Sequence, residues 1–137
     1  MKVLLDSNVA LDAMLDRPPF NAAAAKLLSV AGEGVEFFIS ASAVTDVFYI
    51  TRRTIKNNDF AMSLLNDLLD TVSVATVGEH EIRRAISLGW NDFEDAVQYC
   101  AGERLFLDRI VSRDKDGYKS GAMPVCTPDE LLLEISK

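Results

Sequence analysis

The sequence predicts an α/β fold, a three-layer α/β/α sandwich on a parallel sheet of about five strands. Short, nearly all-apolar runs recur along the chain, as strands covered on both faces require. Longer segments of helical period separate them, which is how a chain returns to add the next parallel strand. A length of 137 residues suits a single domain, residues 1–137, around one hydrophobic core.

The elements follow in order. Val3-Leu4-Leu5 forms a buried strand that stops at Asp6. Val9 to Leu15 reads as a short helix, ended ahead of Pro18 and Pro19 because a residue before proline avoids the helical region. Phe20 to Ala31 is an Ala- and Leu-rich helix closed by the turn Gly32-Glu33-Gly34. Glu36 to Ile39 is the second strand, and Ser40 or Ser42 can cap the helix after it, in which Val44, Val47 and Phe48 have helical spacing. Asp59 is expected to cap a further helix carrying Ala61, Leu64, Leu65, Leu68 and Leu69. Those leucines exceed what one buried face needs, so this helix could serve a dimer or partner groove. Val72 to Ala75 is the third strand and Glu79 to Leu88 another helix. Asn91 opens a helix over Asp92 to Gly102, with Phe93, Ala96, Val97 and Cys100 as its buried stripe. Arg109 to Ser112 is the fourth strand and Pro124 to Cys126 a short fifth. The stretch from Asp114 to Met123 reads as a surface loop, and Asp129 starts a C-terminal helix through Ile135.

Composition excludes several classes. Hydrophobic residues are 49% and charged residues 26%, a globular balance and not a disordered one. Cys100 and Cys126 lack the paired spacing of a zinc site or a staple and read as core thiols of a reduced, cytoplasmic protein. His80 has no second His or Cys near it. Polar residues and Asp46 interrupt the longest apolar stretch, around Val35 to Ile50, so no membrane span is expected. The net charge of -7 argues against nucleic acid, unless some of the 21 acids hold divalent cations.

The acids fall where such cations would bind. In an open parallel sheet, ligands sit beyond the carboxyl ends of the strands. Asp6 ends the first strand, Asp46 lies early in the helix after the second, and Asp114 follows the fourth. At about 100° per residue, Asp92, Asp95 and Tyr99 share one flank of their helix while Glu94 points to the other. Each acid also has an ordinary explanation. Asp92 and Asp95 suit a helix N-terminus, Asp46 an early helical turn, and Asp114 a turn before Gly117. Asp6 is harder to explain so, because a carboxylate at the tip of a buried strand needs a partner, and Ser7 and Asn8 bring no positive charge. Carboxylates without His or Cys fit Mg2+ or Mn2+ and not zinc, and such ions hydrolyse phosphodiesters by activating water.

Several segments together resemble the PIN-domain family, especially its VapC-like toxin nucleases. They are Leu4-Leu5-Asp6-Ser7-Asn8-Val9, Ser42-Ala43-Val44-Thr45-Asp46-Val47, Asp92-Phe93-Glu94-Asp95-Ala96-Val97-Gln98, Val111-Ser112-Arg113-Asp114-Lys115-Asp116 and the closing Pro124-Val125-Cys126-Thr127-Pro128-Asp129-Glu130-Leu131. The ordered set spans nearly the whole chain. The resemblance implies Asp6, Asp46, Asp95 and Asp114 as the four catalytic acids, with Asp92 and Asp116 as supplementary metal ligands. Asn8 and Ser112 would support the site by hydrogen bonds. It further implies cleavage of RNA with one or two Mg2+ or Mn2+ ions, a homodimer and, in the toxin branch, an inhibiting antitoxin. The family usually has Glu where this chain has Asp46, and the lost methylene shortens its reach toward a metal.

Two basic groups could contact RNA phosphates, although such clusters are commonly solvated surface. Arg113, Lys115 and Lys119 flank the fourth acid; Arg52, Arg53 and Lys56 end the helix that carries Asp46. Tyr49, Trp90 and Tyr99 could stack unpaired bases or serve as core or interface. Rival readings fare less well. A haloacid-dehalogenase-type phosphatase needs an acid two residues after Asp6 and meets Asn8, and a receiver-like domain needs one after the third strand and meets Thr76-Val77. A PIN-type domain that binds RNA or protein without cutting is the alternative that Asp46 keeps open.

Overall fold

The computed structural model describes residues 1–118 and 120–136, and every strand pairing in its five-stranded sheet is parallel. In chain order the described elements are β1 (Lys2–Leu5), α1 (Ser7–Met14), α2 (Asn21–Ser29), β2 (Glu36–Ser40), α3 (Ala41–Ile55), α4 (Asn58–Thr71) and β3 (Val72–Ala75). Then come α5 (Glu79–Leu88), α6 (Phe93–Arg104), β4 (Arg109–Val111), a 3-10 turn at Lys115–Tyr118, β5 (Val125–Cys126) and α7 (Pro128–Ile135).

The strand order is β3-β2-β1-β4-β5, so the expected sandwich is the observed one. Alternate residues of the strands face opposite layers, as the two-residue strand period demands. Val3, Leu5, Phe37, Ile39, Val72 and Val111 pack with apolar residues of α1, α2, α3, α4 and α7. Leu4, Ala75 and Ile110 pack with α5, α6 and Tyr118 on the other side. The chain leaves β1 on one side to build β2 and β3, then returns through α5 and α6 to build β4 on the other. That reversal opens a crevice between the carboxyl ends of β1 and β4, the place where such sheets bind ligands.

Local chemistry shifts several boundaries. Asn57, not Asp59, caps α4: its side chain accepts from the Phe60 N–H at 3.0 Å, and Asp59 falls in the first turn, where the helix dipole favours an acid. Ser40 is the cap of α3, accepting from Ala43 N–H at 3.2 Å. The C-terminal helix begins at Pro128 and not Asp129, because Thr127 and Glu130 form a reciprocal capping box and proline suits the first helical position. The helix α1 starts at Ser7, two residues earlier than its apolar pattern suggests. Phe93 does not belong to a buried stripe. It is 46% exposed at the start of α6, while Ala96 to Gly102 are buried on every side, because sheet, α3, α5 and the 3-10 turn all contact this helix. Both cysteines are free, and burial pushes the Cys100 thiol up to about 11. Among the described residues no helix is long and apolar enough to cross a membrane.

Candidate active site

The crevice is built from one hydrogen-bonded knot between the ends of β1 and β4. Asp6 is the N-cap residue of α1, yet its side chain makes no capping bond and instead faces β4. There Ser112 Oγ donates to Asp6 Oδ2 at 2.7 Å, and Ser7 Oγ donates to Oδ1 at 3.3 Å. Ser112 Oγ in turn accepts from the Asp114 N–H at 3.0 Å and from Asn8 Nδ2 at 3.4 Å. Asn8 Oδ1 accepts from the Arg113 N–H at 3.4 Å. One fully buried hydroxyl thus fixes the orientation of Asp6 and the backbone turn of Asp114.

The first turn of α6 adds the remaining acids. Its N-terminus lies at the carboxyl edge because the helix must run back toward the start of β4. Asp95 Oδ1 accepts from the Tyr118 hydroxyl at 3.4 Å. Its carboxyl is pushed up to about 7, first by burial and then by the charges of Asp6 and Asp92, with Asp114 contributing less. Tyr118, buried beside Trp90, has its phenol pushed strongly upward by burial and by Asp6 and Asp95, so it stays a hydrogen-bond donor. Gly117 separates Asp95 from Asp114. A Cβ there would stand 2.5 Å from Asp95 Oδ2 and 3.9 Å from Asp114 Oδ2, so only a residue without a side chain leaves this space open.

The other candidates sit around this group. Asp92 Oδ1 accepts from the Asp95 N–H at 3.0 Å, which makes it the cap of α6 as well as a charge acting on Asp95. Asp116 gives its backbone N–H to Asp114 Oδ1 at 3.2 Å and is exposed. Asp46 meets Glu94: the Glu94 carboxyl is raised, first by the charge of Asp46, then by burial and Asp92. Helix pitch turns Glu94 away from Asp95, so the sequence alone gives it no place in the site. The flank it faces carries an acid of its own, which only the packing of α3 on α6 reveals.

Among the described residues, no three His, Cys, Asp or Glu side chains lie close enough to hold an ion as they stand. Asp92 is turned to its helix backbone, Asp114 to the Asp116 N–H, and Asp46 and Glu94 to each other. The donor set nevertheless fits a hard divalent cation: every candidate ligand is a carboxylate oxygen, and the space kept by Gly117 lies between two of them. An open cleft of about 630 Å³ adjoins it, lined by Trp90, Asn91, Asp92, Asp116, Gly117 and Ser120 among others.

The basic candidates divide. Arg113 Nε lies 2.7 Å from Asp12 Oδ2, and its guanidinium sits 4.1 Å over the Phe20 ring. Lys115 pairs with Glu130 at 3.1 Å. Arg52 and Arg53 form no ion pair among the described residues, and Lys119 lies outside those residues. Asp12 is a residue that sequence reasoning missed. Only 1% exposed, it also accepts from Arg17 Nε at 3.0 Å, so it ties the loop carrying Asp114 to α1. Its position four residues after Asn8, in an otherwise apolar helix, was the available signal.

A family model described as PIN domain matches residues 2–116 of the chain. No curated protein sequence matches it. Among solved structures, the chain is similar to VapBC2 from Rickettsia felis bound to a promoter DNA fragment, with TM-score 0.76 and 12% identity over 93% of this chain and 98% of that one. It is similar to VapBC-1 from nontypeable Haemophilus influenzae, with TM-score 0.74 and 13% identity over 94% and 99% of the two chains. It is also similar to VapC20 of Mycobacterium tuberculosis, a sarcin-ricin loop cleaving toxin, with TM-score 0.72 and 13% identity over 87% and 95% of the two chains. Identities this low speak for the fold alone.

Proposed function

The chain belongs to the PIN-domain family, and from that premise we propose that it is a Mg2+- or Mn2+-dependent endoribonuclease, the toxin of a toxin–antitoxin pair. The observation that carries this reading is the meeting of Asp6, Asp95 and Asp114, from three distant segments, around Ser112, Gly117 and Tyr118. What acts most strongly on Asp95 is burial and other acids, and a site that resists a further negative charge favours a cation.

Asp6, Asp95 and Asp114 would hold one or two ions, with Asp92 and Asp116 reaching them directly or through water and with Asp46 and Glu94 at the flank. When bound, a divalent ion supplies Lewis acidity at the phosphate and a water acidified toward neutral pH. The protein's own part is positioning. Ser112 and Ser7 orient Asp6, the Ser112–Asn8 network sets the Asp114 turn, and the buried Tyr118 donates to Asp95.

Partners follow from the same reading. The likeness to the VapBC structures supports an antitoxin, and the exposed Phe60, Met62 and Leu69 of α4, beside a groove of about 420 Å³, offer a surface for it or for a homodimer. A single nuclease domain over residues 1–137, acting in the cytoplasm, completes the proposal. Asp46 favours one second reading, a PIN domain that binds RNA or protein without cutting, because it is a methylene shorter than the glutamate the resemblance implies and faces Glu94.

The test is cleavage of a fluorescent single-stranded RNA with Mn2+ or Mg2+. The proposal expects cleavage that EDTA and Asp6→Asn each abolish. Cleavage that survives both refutes it, and RNA binding without cleavage at millimolar Mn2+ selects the second reading.

A further inference from the structure

The helix α3 leads away from the acid site along a stripe of different chemistry. At about 100° per residue, Asp46, Tyr49 and Arg53 fall within about 60° of one another around the helix axis, with Lys56 continuing the line. Asp46 stands at the site end, and Arg53 lies about 10 Å further along the axis at 1.5 Å rise per residue. Tyr49 is 58% exposed, and the Arg53 guanidinium sits 5.5 Å from its ring centroid. Tyr49, Arg52, Arg53, Lys56 and Asn58 line a concave pocket of about 500 Å³ at the α3–α4 corner.

Charge makes this pocket unusual. The protein carries -7, and seven of its basic side chains are committed to ion pairs. Among the described residues Arg52, Arg53 and Lys56 have no acidic partner, and they stand together. A cation in the last helical turn complements the helix dipole. That accounts for a positive charge there, but not for an exposed aromatic face beside the cations or for the concavity. Cations that track a backbone, next to a ring on which a base can stack, are the elements of single-strand recognition.

We infer that this pocket binds single-stranded RNA flanking the cleaved bond, with a base on Tyr49 and phosphates on Arg52, Arg53 and Lys56. Asn58 adds an amide that can donate or accept at a base edge or a 2′-hydroxyl. An acidic protein segment could use the same cations, but the alignment of the pocket with Asp46 favours the strand that enters the site. The inference rests on the ribonuclease reading for its substrate, yet binding tests it separately from cleavage.

The experiment measures anisotropy of a fluorescein-labelled oligouridylate on the Asp6→Asn chain with Mn2+, across a range of salt. Combined Arg52→Glu and Arg53→Glu should weaken binding at least tenfold and flatten the salt dependence by about 1.4 in slope, two phosphate contacts at ~0.7 each. Tyr49→Ala should weaken binding about tenfold with the slope unchanged, and Tyr49→Phe should restore it. All these side chains are exposed, so melting temperatures should match the parent, and a variant that fails this check is replaced by Arg53→Gln. Unchanged affinity and slope overturn the inference. So does a polyglutamate peptide that loses binding in these variants while RNA does not, which assigns the pocket to an acidic protein. If the unsubstituted chain cuts no RNA while the variants still lose oligouridylate, the ribonuclease reading falls and the RNA pocket stands.

Discussion

Ser112 and Asp6 lie 106 residues apart in the chain and 2.7 Å apart in the fold, the serine hydroxyl donating to the carboxylate at the mouth of the crevice between β4 and β1. Ser112 is fully buried and Asp6 only 6% exposed, so neither can trade this bond for water. The same oxygen accepts from the Asp114 N–H, so the pairing sets the spacing of two candidate ligands.

Ser112→Ala should therefore cost about 1.5–3 kcal/mol of stability, the range for a hydrogen bond to a charged group. Urea unfolding measures it. The Mn2+ concentration needed for half-maximal cleavage should rise with it, and a loss of stability with unchanged metal dependence would reduce Ser112 to a structural role.

Burial, then the charges of Asp6 and Asp92, push the Asp95 carboxyl up to about 7 from its ordinary 3.8. A raised carboxyl favours the folded state fully below its unfolded pKa, and that benefit is lost as pH rises through the folded one. In EDTA, stability should thus decline between about pH 4 and 7. Asp95→Asn, which cannot ionise, should melt higher than the parent at pH 8 and lose that advantage only as pH falls to about 4, while abolishing cleavage. A melting difference independent of pH would show that Asp95 ionises without hindrance.

Gly117→Ala places a Cβ 2.5 Å from Asp95 Oδ2, and the carboxylate must swing aside. A displacement of about 1 Å at a catalytic group can cost on the order of a hundredfold in rate. The variant should keep most of its stability and lose kcat, and equal kcat in parent and variant would mean that Asp95 does not need this position.

Glu94→Gln tests whether the Asp46–Glu94 pair belongs to the site. Removing the carboxylate that lies against Asp46 should weaken activation by Mn2+ several-fold, whereas Glu103→Gln, on an acid paired with Arg84 further along α6, should not. Equal metal dependence in both variants places Glu94 outside the machinery.

Asp12→Asn leaves Arg17 and Arg113 facing a neutral amide. Both arginines are partly exposed and can turn to water, so the cost should be about 1–3 kcal/mol and not the larger loss of a fully buried pair. Thermal melting checks the stability. The loop carrying Asp114 should also exchange its amide hydrogens faster, and unchanged exchange would mean Asn8 and Ser112 hold it alone.

How much could be read without coordinates follows from the range of the forces involved. Strand and helix identity depend on residues a few positions apart, so apolar runs such as Val3-Leu4-Leu5 and the turn at Gly32-Glu33-Gly34 were enough for the layered fold. The placement of Asp6, Asp46 and Asp114 past strand ends followed from the same local pattern. Caps slipped by one or two positions at Asn57 and Thr127, because several residues there can accept the same N–H and only the settled backbone selects one.

What the local pattern could not contain was decided by contacts across the fold. Which flank of α6 meets α3 depends on how two helices cross a sheet, and it turned Glu94 toward Asp46. Packing of the 3-10 turn against α6 brought Tyr118 to Asp95, and the strand reversal brought Ser112 to Asp6 and Arg113 to Asp12. Charges interact through space and not along the chain, so their partners and protonation follow from tertiary neighbours that no short stretch of sequence specifies.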